Sequence, residues 1–468
     1  MIEGLKPYAE YKESGLPWLN TVPKHWDMAP NRALMRDQRQ VVGSRASDYT
    51  LLSLTLRGVI ARDMVNPKGK FPAQFNTYKV VKPDDFVFCL FDIDETPRGV
   101  GLSPLKGMIT GAYDVFSPTP RINPRFLYHY YLFVDEGKLM KPLYTGLRKT
   151  IQRGVFASLK APLPPPDEQA AIVRFLDHAN RKIDGFIRAK RKLIGLLNEQ
   201  KQAIIHRAVT RGLHSDVPLK PSGIPWLGDI PQHWDVMRVK QCARKISKGT
   251  TPSTEGRAIL ESGPVRFLKA ENISAGRITD KPLCFIDEET HGVIRRSQLA
   301  KDDILFVIAG ATLGKTAVVS GEVLPANTNQ AVAFIRPNSR VVPSFLELWL
   351  QSPRIKELIW LNAVQSAQPN LSMADLGNFV TPVPPPNEQQ EILDFVKKAT
   401  KPMSDAIART EREIALMQEY RTRLTADLVT GKLDVREAAA HLPAPPADPA
   451  AEEDLGEILE EPEGEKEE

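Results

Sequence analysis

Two stretches of the chain carry apolar residues at alternating steps of four and three, the spacing that lines up side chains on one face of a helix. The stretches follow Asp167 and Asn387, residue types suited to cap a helix, and each is followed by a glutamate in the first turn. The pattern predicts two long helices that pair as a coiled coil. The apolar positions are Ile172, Leu176, Ala179, Ile183, Phe186, Leu193, Leu197 and Ile204 in the first helix, and Ile392, Val396, Ala399, Met403, Ala406, Met417, Tyr420 and Leu424 in the second.

Outside these stretches the pattern changes to short apolar runs separated by Gly, Pro and Asp clusters, which is typical of strands and turns. Residues 27–160 and 235–380 both have this character. Residues 83–86 also correspond to residues 301–304, with Asp-Asp at the centre of each. We therefore expect two diverged copies of one strand-rich fold, called below the first module (27–160) and the second module (235–380).

Three motifs occur twice in the same order, about 210–220 residues apart. The segments between them hardly match, so the chain keeps its connecting segments and varies what lies between. This organisation predicts a scaffold that presents two different modules. The motifs are Ser-Gly-x-Pro-Trp at 14–18 and 222–226, Pro-x-His-Trp at 23–26 and 231–234, and Pro-Pro-Pro-Asp/Asn-Glu-Gln at 164–169 and 384–389.

Chain connectivity restricts how the two helices can pair. The first helix leaves the first module and leads to the second module, so a second helix that packs on it must run back, antiparallel. The N-terminal motifs can match their copies only if they lie beside the end of the second helix. We predict an α+β fold with two strand-rich α/β modules separated by two long antiparallel coiled-coil helices, pseudo-two-fold and near-cyclic. Helices of about 38 residues are roughly 57 Å long.

Charge is distributed unevenly along the chain. The net charge is +5, but residues 452–468 hold ten acidic residues and one lysine, so residues 1–451 carry +14. A basic body favours a polyanionic partner such as nucleic acid, with plain solubility as the alternative. The first module has 20 Lys and Arg against 12 Asp and Glu, and the second has 18 against 14. The Ala/Pro-rich and then Glu-rich segment after residue 434 is predicted to be disordered.

Cysteine usage and hydropathy indicate the compartment. Cys89, Cys242 and Cys284 are widely separated and lack metal-binding spacing, which is typical of a reducing cytoplasm. The first residues have no apolar signal core, and no run of about 18 apolar residues occurs. We predict a cytoplasmic protein without a membrane partner.

The duplicated motifs, together with the helix endings 209–213 and 429–433, resemble those of the specificity subunits of type I restriction–modification systems. The resemblance covers essentially residues 10–435, and the acidic tail is not part of the family pattern. It implies two target recognition domains held apart by two helices. The implied divisions are an N-terminal conserved segment near the C-terminal helix (1–26), target recognition domain 1 (27–160), a central conserved region with the first helix (161–214), a conserved opening segment plus target recognition domain 2 (215–380), a C-terminal conserved region with the second helix (381–433), and the tail (434–468).

This resemblance implies a non-catalytic subunit that binds double-stranded DNA and reads a bipartite, asymmetric target. It also implies assembly with two methyltransferase subunits and with restriction subunits. S-adenosylmethionine, ATP and Mg²⁺ are then expected on those partners, and no cofactor on this chain. At 3.4 Å per base pair, the helix length limits the distance between half-sites to roughly 17 base pairs. A partner that fuses methyltransferase and nuclease is the alternative within this class, and a protein-interaction scaffold is the alternative outside it.

Polar, basic, glycine-bounded loops are the segments expected to face DNA, because Lys and Arg bind phosphates and polar side chains reach base edges. For each single residue, a solvated surface charge is the alternative. The first-module candidates are Arg57, Lys68, Lys70, Arg98, Arg148, Lys149, Gln152 and Arg153. The second-module candidates are Lys248, Thr250, Thr251, Ser253, Lys269, Asn272, Lys315, Thr316, Gln365, Gln368 and Asn370.

The aromatic residues of the repeated motifs have two possible roles. Trp18, Trp26, Trp226 and Trp234 are predicted to combine core packing with anchoring of methyltransferase subunits, because only shared segments could bind two identical partners. His25 and His233 lie in the same connecting segments and are predicted to be packing residues.

Catalytic motifs are incomplete. The stretch 310–316 has one residue too few between its first Gly and Gly-Lys-Thr to form a phosphate-binding loop. Asp167 and Glu199 have no matching pair in the second copy, which argues against a nuclease. The Asn/Asp-Pro-Pro-Tyr tetrapeptide of amino-methyltransferases does not occur. We predict no catalytic residue and no metal site, with a stand-alone nuclease or NTPase as the disfavoured alternative.

Overall fold

The computed structural model describes residues 5–63, 75–93, 95–146, 149–274, 276–363 and 370–443. The chain forms two compact units, the first from Met1–Arg191 with Glu411–Glu468 and the second from Lys192–Thr410. The described helices are α1 (Asn31–Leu34), α2 (Pro124–Glu136), α3 (Arg153–Ser158), α4 (Pro166–Arg211), α5 (Val239–Cys242), α6 (Glu288–Val293), α7 (Pro343–Leu350), α8 (Pro353–Ala363), α9 (Met373–Asn378), α10 (Pro386–Val429) and α11 (Arg436–Ala440).

In the first unit, a four-stranded antiparallel sheet of order β4-β11-β8-β9 forms the centre of the module. Helix α2 buries Phe126, Leu127 and Tyr131 in the core beside this sheet. The pairs β1-β2, β3-β12, β5-β6 and β7-β10 surround it. The strands are β1 (Tyr11–Leu16), β2 (Leu19–Pro23), β3 (Asp27–Pro30), β4 (Met35–Asp37), β5 (Leu52–Thr55), β6 (Gly58–Ala61), β7 (Lys79–Val81), β8 (Phe86–Phe88), β9 (Val100–Leu102), β10 (Gly107–Ile109), β11 (Asp114–Pro118) and β12 (Lys160–Leu163).

In the second unit, the central antiparallel sheet has the order β16-β24-β21-β22. A three-stranded sheet β20-β17-β23 lies in the same unit, with β17 and β23 parallel. The pairs β13-β14, β15-β25 and β18-β19 complete it. The strands are β13 (Leu219–Pro221), β14 (Asp229–Pro231), β15 (Asp235–Arg238), β16 (Ala243–Lys248), β17 (Val265–Leu268), β18 (Ile273–Ser274), β19 (Arg277–Ile278), β20 (Phe285–Ile286), β21 (Ile304–Val307), β22 (Thr316–Val318), β23 (Ala326–Thr328), β24 (Val332–Pro337) and β25 (Val380–Val383).

The two modules share one fold, as the repeated sequence indicates. Their four-stranded sheets have the same order and direction, since β4, β11, β8 and β9 correspond to β16, β24, β21 and β22. The turn before the central strand is also repeated: Asp84 and Asp302 both have positive φ, 66° and 69°. The following residues, Asp85 and Asp303, are both buried and accept a backbone N–H bond three residues back.

Both long helices form, and both exceed the predicted length: α4 has 46 residues and α10 has 44. Within the first unit they run antiparallel. Asp184 of α4 bonds Arg421 of α10, and Lys190 Nζ lies 2.7 Å from Glu413 Oε2, so ascending positions on one helix meet descending positions on the other.

The second unit contains the other halves of the same helices, with the same direction. Lys201 Nζ donates to Ser404 Oγ at 3.1 Å, and Val209 near the end of α4 shares a core with Ile392 near the start of α10. These pairings confirm the two long antiparallel helices. Helix α10 runs on through Pro402, although proline inside a helix removes a backbone hydrogen bond.

The predicted apolar face is buried near the start of α4 and near both ends of α10, but not throughout. Ile172, Leu176 and Ile392 are fully buried, whereas Leu193 is 40% exposed. Thr410, which interrupts the apolar pattern, is buried. Its hydroxyl donates to the Ala406 carbonyl oxygen at 2.8 Å, so this polar group has a hydrogen-bond partner within the helix.

The helices begin two residues earlier than a cap at Asp167 or Asn387 predicts. Helices α4 and α10 begin at Pro166 and Pro386, so Asp167 and Asn387 lie inside the first turn rather than at the cap. Proline is tolerated there because the first helical N–H has no partner within the helix, and its fixed φ suits that position. Prediction of a cap at Asp167 and Asn387 was therefore wrong.

The N-terminal segment of the first unit lies beside the end of α10. The Asp434 N–H donates to the Lys6 carbonyl oxygen at 2.8 Å, and the Tyr11 hydroxyl donates to the Lys432 carbonyl oxygen at 3.3 Å. Tyr8 and Trp26 share a core with Leu428 and Val435. This placement agrees with the near-cyclic connectivity predicted from the duplicated motifs.

Candidate nucleic-acid interface

Each module is attached to its long helix by the glutamate and glutamine of the repeated proline motif. In the first unit the Glu168 carboxylate accepts a bond from Trp26 Nε1 at 2.8 Å, pairs with His25 Nε2 at 2.8 Å and accepts the Tyr8 hydroxyl. Burial, and then the bond to Glu168, raise the pKa of the Tyr8 hydroxyl, which remains a donor. We call this arrangement the first joint.

The second unit repeats the arrangement with different residues. Glu388 Oε2 accepts from Trp234 Nε1 at 3.1 Å and pairs with His233 Nε2 at 2.7 Å. Glu168 is 2% exposed at its side chain, whereas Glu388 is 15% exposed. This second joint therefore holds a similar carboxylate with fewer donors.

The neighbouring glutamines make matching bonds in both units. Gln169 Oε1 accepts the Asn123 N–H at 2.6 Å, and its Nε2 donates to the Pro164 carbonyl oxygen at 2.8 Å. Gln389 bonds the Val342 N–H at 2.7 Å and the Pro384 carbonyl oxygen at 2.7 Å. Each glutamine thus connects the start of a long helix to the start of the helix that packs on the module sheet, α2 or α7.

These joints decide the roles of the tryptophans. Trp26 and Trp234 are fully buried and donate their indole N–H groups within the chain, so they pack in the core, and their anchoring of a partner stays a prediction. Trp18 and Trp226 are half-buried; Trp18 donates to the Tyr130 hydroxyl at 3.3 Å, and Trp226 stacks on Trp349 with ring centroids 6.1 Å apart. A partner-binding role for these two stays a prediction.

In the first module, two of the predicted loops meet at one edge of the sheet. The Ile151 N–H donates to the Leu90 carbonyl oxygen at 2.8 Å, which joins the 144–152 loop to the loop that follows β8. Lys149 lies on the first loop with positive φ, and its Nζ is 3.6 Å from Glu95 Oε1 on the second. Gln152 is exposed directly before α3.

The other described DNA-binding candidates of the first module are three arginines, and they differ in accessibility. Arg57 is exposed on the turn between β5 and β6. Arg153 is half-exposed and forms an ion pair with Asp114. Arg98 is 17% exposed at its side chain, with Nη1 3.8 Å from Glu136 Oε1, so it presents little of its charge to a ligand.

In the second module the corresponding loops are joined in the same way. The Leu371 N–H donates to the Ile308 carbonyl oxygen at 2.8 Å, which places exposed Asn370 beside the loop between β21 and β22. Lys315 is exposed on that loop. Its neighbour Thr316 is buried and donates to Glu347 Oε1 at 2.8 Å, and its assignment to DNA binding stays a prediction.

The second-module candidates between residues 248 and 272 also differ in how far they are exposed. Lys248 and Ser253 are exposed, and Thr250, Thr251 and Lys269 are half-buried. Asn272 is 0% exposed: its amide nitrogen donates to the Thr279 and Pro282 carbonyl oxygens and its oxygen accepts the Lys269 N–H. Every one of these bonds holds the loop itself, and the assignment of Asn272 to DNA binding stays a prediction.

Five predicted residues lie outside the described part of the chain. They are Lys68, Lys70, Arg148, Gln365 and Gln368. The acidic stretch 452–468 also lies outside it.

One residue beside these loops has a role that the sequence did not predict. Glu347 on α7 lies beneath the Lys315 loop, where burial raises the pKa of its carboxyl group, and it accepts bonds from Thr316 and Gln351. A glutamate on an amphipathic helix is ordinarily a solvated residue. Only the fold of the loop over α7 reveals that this one supports the loop.

Two further observations concern metals and membranes. Among the described residues, no cluster of three or more His, Cys, Asp or Glu is placed to hold a metal ion. None of the helices in the described ranges is both long and apolar enough to cross a membrane.

Comparison with known proteins identifies the class that has this fold. Residues 231–415 match the family described as type I restriction modification DNA specificity domain. A solved structure described as the structural basis underlying complex assembly and conformational transition of the type I R-M system has a TM-score of 0.62. It covers 88% of this chain and 99% of its own, at 15% identity, which establishes similarity of fold.

Curated relatives point to the same class. The chain is 27% identical over 295 residues to the type I restriction enzyme EcoBI specificity subunit of Escherichia coli, covering 58% of this chain and 61% of that protein. It is 26% identical over 290 residues to the MjaVIII specificity subunit of Methanocaldococcus jannaschii, covering 61% and 65%. The chain thus spans just under two thirds of these relatives. The resemblance to type I specificity subunits is confirmed, and the chain carries their DNA specificity domain at 231–415.

Proposed function

We propose that this chain is the DNA-recognition subunit of a type I restriction–modification complex. It reads a bipartite, asymmetric target, one half-site with each module, and positions two methyltransferase subunits and the restriction subunits on that DNA. S-adenosylmethionine, ATP and Mg²⁺ belong to those partners. Catalysis belongs to them as well, and the chain acts in the cytoplasm on double-stranded DNA.

One observation supports this proposal most strongly. The two modules share a sheet order and are held by equivalent joints at Glu168 and Glu388, yet their edge loops carry different side chains. Equal attachment with unequal loops suits the reading of two unlike half-sites, because phosphate contacts position a module while loop side chains read base edges.

A map of methylated adenines in the host genome tests the proposal. With the gene deleted, methylation is expected to disappear at one bipartite motif and nowhere else. Replacing residues 27–160 by a first module from another specificity subunit should change one half-site and leave the other. An unchanged map, or a swap that alters both half-sites, overturns the proposal. Purified chain that methylates or cuts plasmid unaided would also contradict it.

The paired helices suggest a second test, on the spacing between half-sites. Removing residues 185–191 from α4 and 413–419 from α10 deletes both partners of the Lys190–Glu413 pair and leaves Asp184 and Arg421 in place. Seven residues are close to two helical turns and about 10.5 Å. The gap is expected to shorten by up to about three base pairs, with both half-site sequences unchanged. An unchanged gap would argue that the helices do not set the spacing.

A further inference from the structure

The exposed side of α4 in the first unit carries a line of basic side chains. Arg174, His178, Arg181 and Arg188 recur at steps of four, three and seven, which places them on one face of the helix, with Lys182 at its border. We call these five residues the basic stripe. The two acidic residues of the same stretch, Asp177 and Asp184, lie next to the stripe, three or four residues from its arginines, and are paired with Arg125 and Arg421.

The stripe is positively charged, and Asp177, one turn from both Arg174 and Arg181, is paired with Arg125. Within the described ranges, Arg181, Lys182 and Arg188 have no ion pair. Burial and the charges of Lys182 and Arg181 lower the pKa of His178, which reflects how closely these cations are grouped. Cations on one helix face repel one another and gain from an external anion.

The chain itself brings an acidic segment to one end of this stripe. After α11, the carbonyl oxygens of Leu442 and Pro443 accept bonds from Arg174, the first residue of the stripe, the latter at 3.4 Å. The sequence then continues through eight residues, 444–451, into 452–468 with its net charge of −9. Eight residues reach at most roughly 29 Å, and the stripe from Arg174 to Arg188 extends about 21 Å along the helix.

We propose that the acidic segment 452–468 docks on the basic stripe of α4 in the same molecule. The attachment of Pro443 to Arg174 makes this contact intramolecular, so its effective concentration is high. The consequence goes beyond the proposed function. While the segment is docked, the stripe is screened from other polyanions, including DNA outside the target, which lowers salt-sensitive non-specific binding.

Zero-length carbodiimide crosslinking of the full chain tests the contact without DNA. Lys182 is expected to crosslink to carboxylates of 452–468 at low salt, and the yield should fall at least several-fold in 1 M NaCl because the Debye length is then about 3 Å. Lys432 is 66% exposed at its side chain in the same unit, and serves as the control lysine. Equal crosslinking of Lys182 and Lys432 to the segment overturns the proposal.

A pair of matched variants separates the stripe from overall charge. The double variant R181Q and R188Q should lose most of the Lys182 crosslink. The control double variant R36Q and R45Q removes the same charge from exposed arginines of the first module and should retain it. Equal loss in both variants means a general charge effect, which also overturns the proposal.

The functional consequence is measured with a duplex that lacks the target sequence. Full chain with the ten acidic residues of 452–468 changed to their amides should bind it more tightly, with affinity falling more steeply with salt. Adding R181Q and R188Q should remove most of that gain. A gain that persists in this combined variant overturns the docking site, while the methylation map tests the proposed function separately.

Discussion

The indole N–H of Trp26 donates to the Glu168 carboxylate at 2.8 Å, across 142 residues of sequence. The same relationship recurs between Trp234 and Glu388 in the second unit, at 3.1 Å. In each unit the aromatic residue that precedes a module is thereby attached to the first turn of the long helix that follows it. The glutamate of the proline motif thus acts as an acceptor in a joint.

The first joint should be the more sensitive of the two to loss of its carboxylate. Glu168→Ala leaves two buried donors, those of Tyr8 and Trp26, without their acceptor, and also removes the partner of His25, whose side chain is 41% exposed. Glu388→Ala leaves two donors at a more exposed site. Unsatisfied buried donors cost about 1–3 kcal/mol each, so Glu168→Ala is expected to destabilise its unit by about 3 kcal/mol or more, and Glu388→Ala by less.

Hydrogen exchange resolved by segment measures the two losses separately, because each variant should raise exchange in its own unit. Exposed Glu437→Ala on α11 is the control and should change little. Equal loss in the two joint variants would contradict a role for the Tyr8 bond and the deeper burial of Glu168.

The helices and the duplicated plan could be predicted from sequence because their signals are periodic or repeated. Ile172 and Leu176 are buried as their spacing requires. Leu193 obeys the same spacing yet is 40% exposed, since burial also depends on what lies opposite. The helices begin two residues earlier than predicted because proline is compatible with the first helical position, whereas the aspartate or asparagine directly after it resembles a cap.

The candidate interface was harder to predict because the polarity of a residue does not reveal which partners its side chain bonds. Asn272 and Lys315 are both polar residues in glycine-flanked loops. The side-chain amide of Asn272 bonds carbonyl oxygens of its own loop, whereas Lys315 is exposed. Trp18 and Trp26 likewise both end a repeated motif, and only the fold shows that Trp26 is core and Trp18 half-buried.

Gly431 should tolerate alanine less well than Gly212, although both follow a long helix with φ near +70°. A Cβ at Gly431 would overlap the Pro23 ring and lie 3.1 Å from Trp26, while at Gly212 the nearest atoms are Glu388 Oε1 at 3.1 Å and Trp234 at 3.2 Å. Gly223, with φ +74° and open space around its Cβ position, reports the conformational cost alone.

Left-handed backbone costs an alanine about 1–2 kcal/mol. The expected order of destabilisation is therefore Gly223→Ala, then Gly212→Ala, then Gly431→Ala, read from urea unfolding of each variant. If Gly431→Ala matched Gly223→Ala, the close packing of the α10 end on the first joint would be in doubt.

Lys315, at the end of a loop, and Thr316, the first residue of β22, are neighbours that should respond differently to mutation. Lys315→Ala is expected to leave stability unchanged and to weaken binding to any duplex, reducing the slope of log affinity against log salt by about 1 for one lost phosphate contact. Thr316→Val should destabilise the second unit by about 1 kcal/mol, because it removes the hydroxyl bond to buried Glu347.

Fluorescence anisotropy across a salt series, together with thermal unfolding, distinguishes the two responses. Lys301→Ala, exposed at the turn before β21, is the matched control for loss of one positive charge. A salt slope that changes equally for Lys301→Ala and Lys315→Ala would remove Lys315 from the interface.

His129 on α2 should make the first unit sensitive to acid. Burial, and then the charge of Arg125 one turn earlier, lower the pKa of His129 from 6.5 to about 4. In the unfolded chain the imidazole takes up a proton near pH 6.5, whereas the folded protein resists it until about pH 4. The unfolded state therefore binds more protons in this window, and stability falls as pH falls from 6.5 towards 4, by at most about 3 kcal/mol. His129→Gln removes this titration but leaves the nearby carboxyl groups, so the variant minus wild-type difference in free energy of unfolding isolates the histidine. That difference should be nearly constant above pH 7 and shift in favour of the variant as pH falls through 5. A difference that does not vary with pH would mean that His129 is protonated as readily in the folded unit as in the unfolded chain.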